Sequence, residues 1–283
     1  MSFDSRKAAD YIRGRFKDAF GLCCESIYGD NDMFEKTFWL MNDNVSAIVA
    51  LDRLNEPSLR DKIKGKLQTF TTSCIETFGH DAFRNRGWVD PFIHQDVFDL
   101  RRLRTPWCYC WDDLTKKFGP PLFCREGMIG VMQEEWNGSE YEDEERYPNL
   151  AASKALSWHK QYVKTQSASD RQNRDFFITR MENLWNPANL GFGVLDRERR
   201  MDTYYLAAYL LVGEKTGWPE PFDPGRRTTV KKLLNSLQLA HGGFAAKYIV
   251  QDGEVVWREW NGNVETTSLA VYANILPKDY TAF

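Results

Sequence analysis

The sequence predicts a mainly α-helical α/α toroid with β-hairpins at one rim, because one structural unit recurs along the chain. The clearest copy, residues 242–275, reads as a glycine turn, a β-hairpin and a helix. Four copies align where their helices start: NVSAIVAL (44–51), NLAASKAL (149–156), RMDTYYLA (200–207) and NVETTSLA (263–270). The starts lie roughly 50 to 105 residues apart, which favours helix pairs with variable insertions over a strict solenoid.

The first unit opens with an amphipathic helix predicted from Ser5 to Phe20, with apolar residues along one side and Gly21 at its end. Two strand-like runs follow around a turn at 29–31, and the second of them contains Trp39. Asn44 then stands at the predicted start of the unit's inner helix.

The middle of the chain carries the second unit in a more degenerate form. Helices are predicted over 58–78 and over 100–118, the latter interrupted at Pro106. Two strand-like runs within 122–138 and an acidic loop over 139–147 lead to the helix that starts at Asn149.

The last two units are the most regular. A helix over 169–185 stops at 189–191, and a short turn leads to the helix that starts near 200. The linker 219–225 precedes a helix over 228–240, and Gly242 ends that helical pattern. Asn263 stands as the N-cap of the final helix, after a hairpin tightened by Asp252.

Helix pairs whose inner helices start at one rim can close into a ring, and the sequence predicts one domain over 1–283 with four to six such pairs. An open helical array is the alternative, because ring closure leaves no mark in a sequence.

Composition limits the partners that the chain can have. A net charge of −3 gives no electrostatic basis for binding nucleic acid or an anionic membrane. The charged N-terminus lacks the apolar core of a secretory signal, and no apolar run is long enough to span a bilayer. We therefore expect a cytoplasmic protein whose six cysteines are reduced. No oligomeric state is predicted.

In a toroid, residues beside the inner-helix starts converge on one mouth, so these positions supply the candidate site. The candidate catalytic carboxylates are Asp43, Glu135, Asp202, Glu259 and Glu265. The candidate substrate-binding residues are Trp39, Asn42, Trp136, Asn137, Tyr204, Tyr205, Trp257, Trp260 and Asn261, with Asn44 and Glu134 beside them. The tripeptide Glu-Trp-Asn occurs twice in this set, at 135–137 and at 259–261.

A carboxylate between aromatic rings is desolvated, so its pKa rises and it can serve as a general acid near neutral pH. A second carboxylate kept ionised by hydrogen-bond donors can act as a base or stabilise a developing cation. Tryptophan and tyrosine faces suit a carbocation or the apolar face of a sugar ring. The structural alternative is that the asparagines cap helices, the carboxylates complement helix N-termini and the tryptophans pack the hairpins.

Two segments resemble a known superfamily. Leu190-Gly191-Phe192-Gly193 with the run 202–209, and Gly242-Gly243-Phe244 with the run 265–270, are similar to the GGF…D-T-x-x-x-L-A repeats of terpenoid cyclases and protein prenyltransferases. The resemblance covers roughly the last hundred residues. It implies an α/α toroid, a fold that also serves glycan-cleaving enzymes and thioester domains.

The chain departs from that superfamily in its catalytic motifs. It has no D-x-D-D acid motif, no Q-x-x-D-G-x-W repeat and no zinc-binding Asp, Cys and His trio at prenyltransferase positions. Asn42, Asp43 and Ser46 resemble the start of an N-D-x-x-S-x-x-x-E metal motif, but Ala50 replaces its glutamate. These departures argue against diphosphate-ionising chemistry.

No metal and no cofactor are predicted. Cys108, Cys110 and Cys124 are a weak zinc pattern, and Asp30, Asp32 and Glu35 lack the spacing of a calcium loop.

Three functions remain open at the level of sequence. The first is a small-molecule enzyme similar to terpenoid cyclases, using carboxylate acid/base chemistry in an aromatic cavity on an isoprenoid-like or polycyclic substrate. The second is a glycoside hydrolase or polysaccharide lyase, because tryptophan with Glu, Asp and Asn also suits sugars. The third is a binding or scaffold module without catalysis.

Overall fold

A computed structural model describes residues 2–18, 21–23, 39–72, 83–84, 110–112, 117–119 and 148–275. Helices account for 59% of these residues, so the fold is mainly helical with small β-sheets, as the sequence predicts. The helices of the described ranges are α1 (Ser5–Arg15), α2 (Met41–Arg53), α3 (Pro57–Thr72), α4 (Pro148–Thr165), α5 (Ala168–Asn183), α6 (Thr203–Thr216), α7 (Pro224–Ser236) and α8 (Val264–Asn274).

The strands of the same ranges are short. They are β1 (Phe16–Lys17), β2 (Leu22–Cys23), β3 (Trp39–Leu40), β4 (Phe83–Arg84), β5 (Cys110–Asp112), β6 (Lys117–Gly119), β7 (Trp185–Asn186), β8 (Gly191–Phe192), β9 (Met201–Asp202), β10 (Lys247–Gln251) and β11 (Glu254–Arg258). The strands β9, β10 and β11 form one three-stranded sheet, in the order β11-β10-β9. The others pair two by two, antiparallel except for β3 with β4.

Side-chain caps and left-handed residues set several helix ends. The Asp4 carboxylate accepts from Lys7 N over 3.0 Å at the start of α1, and the Asn263 amide oxygen accepts from Thr266 N over 2.7 Å at the start of α8. The N-cap predicted at Asn263 is thereby confirmed. Gly217, with φ +77°, ends α6 in a conformation that glycine adopts without strain.

Several predicted helices have different bounds in the structure. The helix predicted over 228–240 is α7, which spans Pro224–Ser236 and so lies four residues earlier at each end. The first helix ends at Arg15 rather than Phe20, because residues 16–17 pair with 22–23 as an antiparallel ladder. The helix predicted over 100–118 is wrong in its second half, where Cys110–Asp112 pairs with Lys117–Gly119. Apolar periodicity does not distinguish a short hairpin from a broken helix.

Burial divides the helices into two kinds. In α2 all five residues from 47 to 51 are buried, and α6 and α8 are buried around their whole circumference. In α1, α5 and α7 only one face is buried. A helix that is buried on all sides is surrounded by other elements, so α2, α6 and α8 are internal and α1, α5 and α7 lie outside them.

The internal helices are neighbours in an order that differs from the chain order. Helix α2 packs against α8, α8 against α6, and α6 against α4. Each of these four helices also contacts one further helix: α3 lies on α2, α5 on α4, α7 on α6 and α1 on α8. The contact between α1 and α8 brings together the first and last helices of the described ranges.

This contact between α1 and the C-terminal part of the chain is close and polar. Asp4 N donates to the Gln238 Oε1 atom over 2.8 Å, and Gln238 Nε2 donates to the Asp4 carbonyl over 2.8 Å. At Gly242, which has φ +97°, a Cβ atom would lie 2.0 Å from the Lys7 carbonyl oxygen. Glycine at 242 therefore allows α1 to approach the turn. It does not end the preceding helix as predicted, because α7 already ends at Ser236.

An aromatic cluster fixes the other flank of α6. The Tyr209 ring stacks on Phe192 of β8 at 4.6 Å and meets Trp218 and Phe222 edge-on. Its hydroxyl donates to the Glu182 carboxylate over 2.8 Å. These contacts hold α6 and β8 in place, and so set the position of β9, which lies between them in sequence.

In the described ranges, no helix is both long enough and apolar enough to cross a bilayer.

Candidate functional site

Three charged side chains stand in a row across the three-stranded sheet. Lys247 of β10 is in register with Asp202 of β9, and on its other side Glu259 N donates to the Lys247 carbonyl over 2.9 Å. Directly opposed residues on neighbouring strands share one face of a sheet. The row therefore reads carboxylate, ammonium, carboxylate, with the two outer backbones about two strand spacings, roughly 10 Å, apart.

Trp257 lies on the same face of this sheet. It is in register with Ile249, which alternates in phase with Lys247, and it precedes Glu259 by two positions. The guanidinium of Arg200 lies over the Trp257 ring, 5.8 Å from its centroid. We call this surface, made of Asp196, Arg200, Asp202, Lys247, Trp257 and Glu259, the charged face.

Asp196 organises the loop beside the sheet. Its carboxylate accepts from the backbone of Glu198 and of Arg200, each over 2.9 Å. It also accepts from Arg200 Nε over 2.7 Å and from Lys247 Nζ over 3.0 Å. Four donors on one carboxylate make Asp196 the fixed negative charge of the charged face.

Lys247 is shared between two carboxylates. Its Nζ atom lies 3.0 Å from Asp196 and 3.4 Å from Asp202. The side chains of Lys247 and Asp202 are 29% and 32% exposed, so water reaches this part of the face. The contact of Lys247 with Asp202 is therefore the weaker of the two. Asp202 also occupies the N-cap position of α6, without a side-chain capping hydrogen bond.

The carboxyl groups of the charged face differ in their pKa values. Burial opposes ionisation of Asp196, but the hydrogen bonds from Arg200 and Lys247 hold its pKa well below the ordinary range. Burial raises the pKa of Asp202, and Lys247 only partly offsets the effect. Burial also raises the pKa of Glu259, with Arg200 and Lys247 acting against it and Asp202 adding to it. The face therefore combines one firmly ionised carboxylate with two that hold a proton more readily.

Lys247 keeps its charge despite partial burial. Burial lowers its pKa, but the charges of Asp202 and Asp196 outweigh that effect and raise it.

The other candidates of the last unit do not share this face as a group. Trp260 is 64% exposed, and Asn261 is buried, with its backbone carbonyl accepting from the Tyr11 hydroxyl over 3.3 Å. Glu265 stands in the first turn of α8, where a carboxylate complements the helix N-terminus.

The remaining described candidates are spread over two helices. Tyr204 and Tyr205 begin α6, with their rings 6.0 Å apart and edge-on. Asp43 is fully buried in the first turn of α2. Its neighbour Asn44 accepts from Cys23 N over 2.7 Å and donates to the Cys23 carbonyl over 3.0 Å, so its amide holds β2 against α2.

Several predicted residues lie outside the described ranges: Glu134, Glu135, Trp136, Asn137, Asp30, Asp32, Glu35, Cys108 and Cys124. Trp39 and Asn42 are described only through their backbones, in β3 and α2. The second Glu-Trp-Asn tripeptide therefore cannot be compared with the first.

Sequence reasoning placed Asp202, Trp257 and Glu259 in the candidate site, and the sheet brings these three together. It missed Asp196, Arg200 and Lys247. The spacing of Asp196 and Arg200 in LDRERR is a local sign of an ion pair. Lys247 carries no such sign, because only the pairing of β9 with β10 brings it to Asp202.

Among the described residues, no group of three or more His, Cys, Asp or Glu side chains could hold a metal ion. Comparison of the chain with protein-family models, with curated proteins and with solved structures found no match in any of the three.

Proposed function

We propose that the described helices belong to an α/α toroid, with α2, α8, α6 and α4 as consecutive inner helices. Three inner helices are buried on all sides, and each inner helix carries an outer one. The support for closure is the packing of α1 on α8, which joins the first and last helices of the described chain. An open array would leave its two terminal helices apart.

The charged face then lies where the sequence argument expects a mouth, beside the N-terminus of α6 and before the N-terminus of α8. We propose that it is the site of an enzyme that uses carboxylate acid/base chemistry. The observation that carries this proposal is the placement of two carboxyl groups whose pKa values are raised by burial, Asp202 and Glu259, on either side of Lys247 on one face of the sheet. Carboxyl groups with perturbed pKa values that lie together on an accessible face are typical of acid/base sites.

Each residue has a distinct role in this proposal. Glu259 is the general acid, because no cation of the described chain lies within ion-pair distance of it and burial favours its protonated form. Asp202 is the second carboxyl group, placed across Lys247 from Glu259. Asp196 positions Lys247, whose strand lies between Asp202 and Glu259.

The exposure of the face favours a saccharide as the substrate. Trp257 is 39% exposed, as platforms for sugar rings are. Hydrolysis needs water at the reacting carbon, and Asp202 and Lys247 are open to it. Chemistry on an isoprenoid carbocation needs a dry apolar enclosure instead, so this second class of substrate is tested beside the first.

Glu259→Gln tests the proposal directly. We expect turnover to fall by about a hundredfold or more, because general acid catalysis contributes that much. The melting temperature should hold or rise slightly, since the variant removes a carboxylate that burial disfavours. Turnover is measured as reducing ends released from a panel of neutral oligosaccharides, and as products from a panel of isoprenyl diphosphates.

Glu254→Gln is the matched control, because Glu254 is an exposed glutamate at the start of β11, the strand that leads to Glu259. It should change neither turnover nor stability. Equal turnover in the two variants would remove Glu259 from the chemistry. Binding of oligosaccharides without any turnover would instead indicate a non-catalytic module, and turnover of the isoprenyl panel alone would identify the other enzyme class.

A further inference from the structure

The loop that carries Glu259 is held by side chains from two distant parts of the chain. Glu259 N donates to the Lys247 carbonyl over 2.9 Å. The next carbonyl, that of Trp260, accepts from His241 Nε2 over 3.0 Å, and that of Asn261 accepts from the Tyr11 hydroxyl over 3.3 Å. Three consecutive residues are thus fixed through their backbones, in a stretch that has no helix or strand of its own.

Tyr11 and His241 also fix each other. Their rings stack with centroids 5.1 Å apart and an interplanar angle of 19°. Gly243 N donates to His241 Nδ1 over 3.2 Å, which assigns the ring proton to Nε2, facing the Trp260 carbonyl. The imidazole cannot rotate without losing the stack and both hydrogen bonds.

The backbone of the turn at Gly243 packs against the Tyr11 ring. A Cβ atom at Gly243 would lie 2.6 Å from that ring, so the ring packs directly on the backbone. Tyr11 belongs to α1, which the chain separates from the loop by 250 residues. The orientation of the loop thus depends on the docking of the N-terminal helix.

We infer that Tyr11 and His241 are positioning residues, which set the placement of Glu259 on the charged face by holding the carbonyls of Trp260 and Asn261. The catalytic meaning of this inference rests on the proposed function. The placement of the Glu259 carboxyl group can be tested independently of that function, because it is measured without turnover. The competing explanation is that the two residues only dock α1.

Tyr11→Phe separates these explanations, because it keeps the ring and its stack on His241 and removes only the hydroxyl donor. We expect amide hydrogen exchange over 259–262 to become about fivefold faster, the effect of losing one hydrogen bond. We also expect the pKa of Glu259, followed by carbon-detected NMR, to fall toward the ordinary glutamate value as the loop gains access to water.

Gln238→Ala is the matched control. Gln238 makes three hydrogen bonds to Asp4 and Gly242 across the same contact with α1, and none of them involves the loop. It should weaken the docking of α1 and leave exchange over 259–262 and the Glu259 titration unchanged. The inference is overturned if Tyr11→Phe also leaves both unchanged, or if the two variants change both to the same extent.

His241→Phe provides a second test, since it retains the stack and removes both hydrogen bonds of the imidazole. Its effect on the Glu259 titration should match or exceed that of Tyr11→Phe, and the double variant should show less than the sum because both residues hold one loop. If Glu259→Gln proves active while these shifts are seen, the proposed function fails and the positioning role stands. The reverse pattern leaves the function standing and overturns the positioning role.

Discussion

At the scale of single residues, Asp196 and Asp202 show how the same side chain acquires opposite properties. Both contact Lys247, but Asp196 has three further donors and Asp202 has a single, longer contact. The charged form is therefore favoured at Asp196 and disfavoured at Asp202. The number and distance of donors decide the protonation state on this face.

Asp196→Asn should make acid unfolding less steep. A carboxylate whose pKa is depressed in the folded state stabilises the fold above its unfolded pKa, about 4, and that stability is lost as pH falls through the folded value. We expect a loss of about 1 kcal/mol near neutral pH, modest because the group is partly exposed. Urea denaturation between pH 7 and pH 2 measures it. Identical pH profiles in the parent protein and the variant would contradict this assignment.

Gly242→Ala should destabilise the protein by about 2 kcal/mol or more, because its Cβ would strike the Lys7 backbone and its φ is positive. Gly253→Ala is the control, with φ +81° and no atom within 4 Å of the added Cβ. It should cost only the left-handed strain, about 1 kcal/mol. Equal losses in denaturant titrations would show that α1 does not press on the turn.

At the scale of elements, the first turns of α2 and α8 bind backbone groups of segments that precede them in the chain. Asn44 of α2 binds the backbone of Cys23, and the Thr267 hydroxyl of α8 accepts from Phe244 N over 2.9 Å. Asn44 and Asn263 align in the sequence but have different tasks, since Asn263 caps its helix and Asn44 lies inside the first turn. Helix α2 starts three residues before the predicted position, and this offset causes the difference.

Asn44→Ala should therefore cost more than Asn263→Ala. The first removes two hydrogen bonds to the buried backbone of Cys23, a loss of about 2 to 4 kcal/mol. The second removes one N-cap, a loss of about 1 kcal/mol. Chemical denaturation of both variants gives the comparison. If the two losses were equal, Asn44 would be acting only as a cap.

At the scale of the whole molecule, His159 joins three helices at a distance from the charged face. Its Nδ1 atom lies 3.5 Å from the Arg174 guanidinium, and it donates to the Lys215 carbonyl near the end of α6. Burial, and then the charge of Arg174, lower its pKa from 6.5 to about 4. The neutral imidazole thus links α4, α5 and α6.

His159→Gln should flatten the dependence of stability on pH. The unfolded chain protonates this histidine near pH 6.5 and the folded chain only near 4, so the unfolded state binds more protons between these values. The contribution of His159 to the free energy of unfolding is fully present above pH 6.5 and is lost as the pH falls toward 4. Asp202 and Glu259 have raised pKa values, so their contribution to the free energy of unfolding increases as pH falls. This contribution is the same in the parent protein and in the variant. Melting temperatures measured from pH 7 to pH 4 should fall less in the variant, and parallel profiles would contradict the assignment.

Much of the local structure could be predicted from the sequence. Glycines that break a helical pattern, N-cap residues and the spacing of apolar residues predict the helices of the last hundred residues and the hairpin of β10 and β11. These signals are local, so the sequence alone contains them. The second half of the helix predicted over 100–118 was wrong, because short apolar runs fit a hairpin equally well. Asp202, Trp257 and Glu259 were candidates because each adjoins a helix start.

The sequence by itself determined the mainly helical class, the repeated order of turn, hairpin and helix, and the carboxylates and tryptophans at the helix starts, because these depend on neighbours along the chain. Only the tertiary structure decided which of them meet. Lys247 reaches Asp202 through strand register, and Tyr11 reaches the loop of Glu259 across 250 residues. Pairing between distant segments leaves no local pattern, so the charged face and its support by α1 follow from the fold alone.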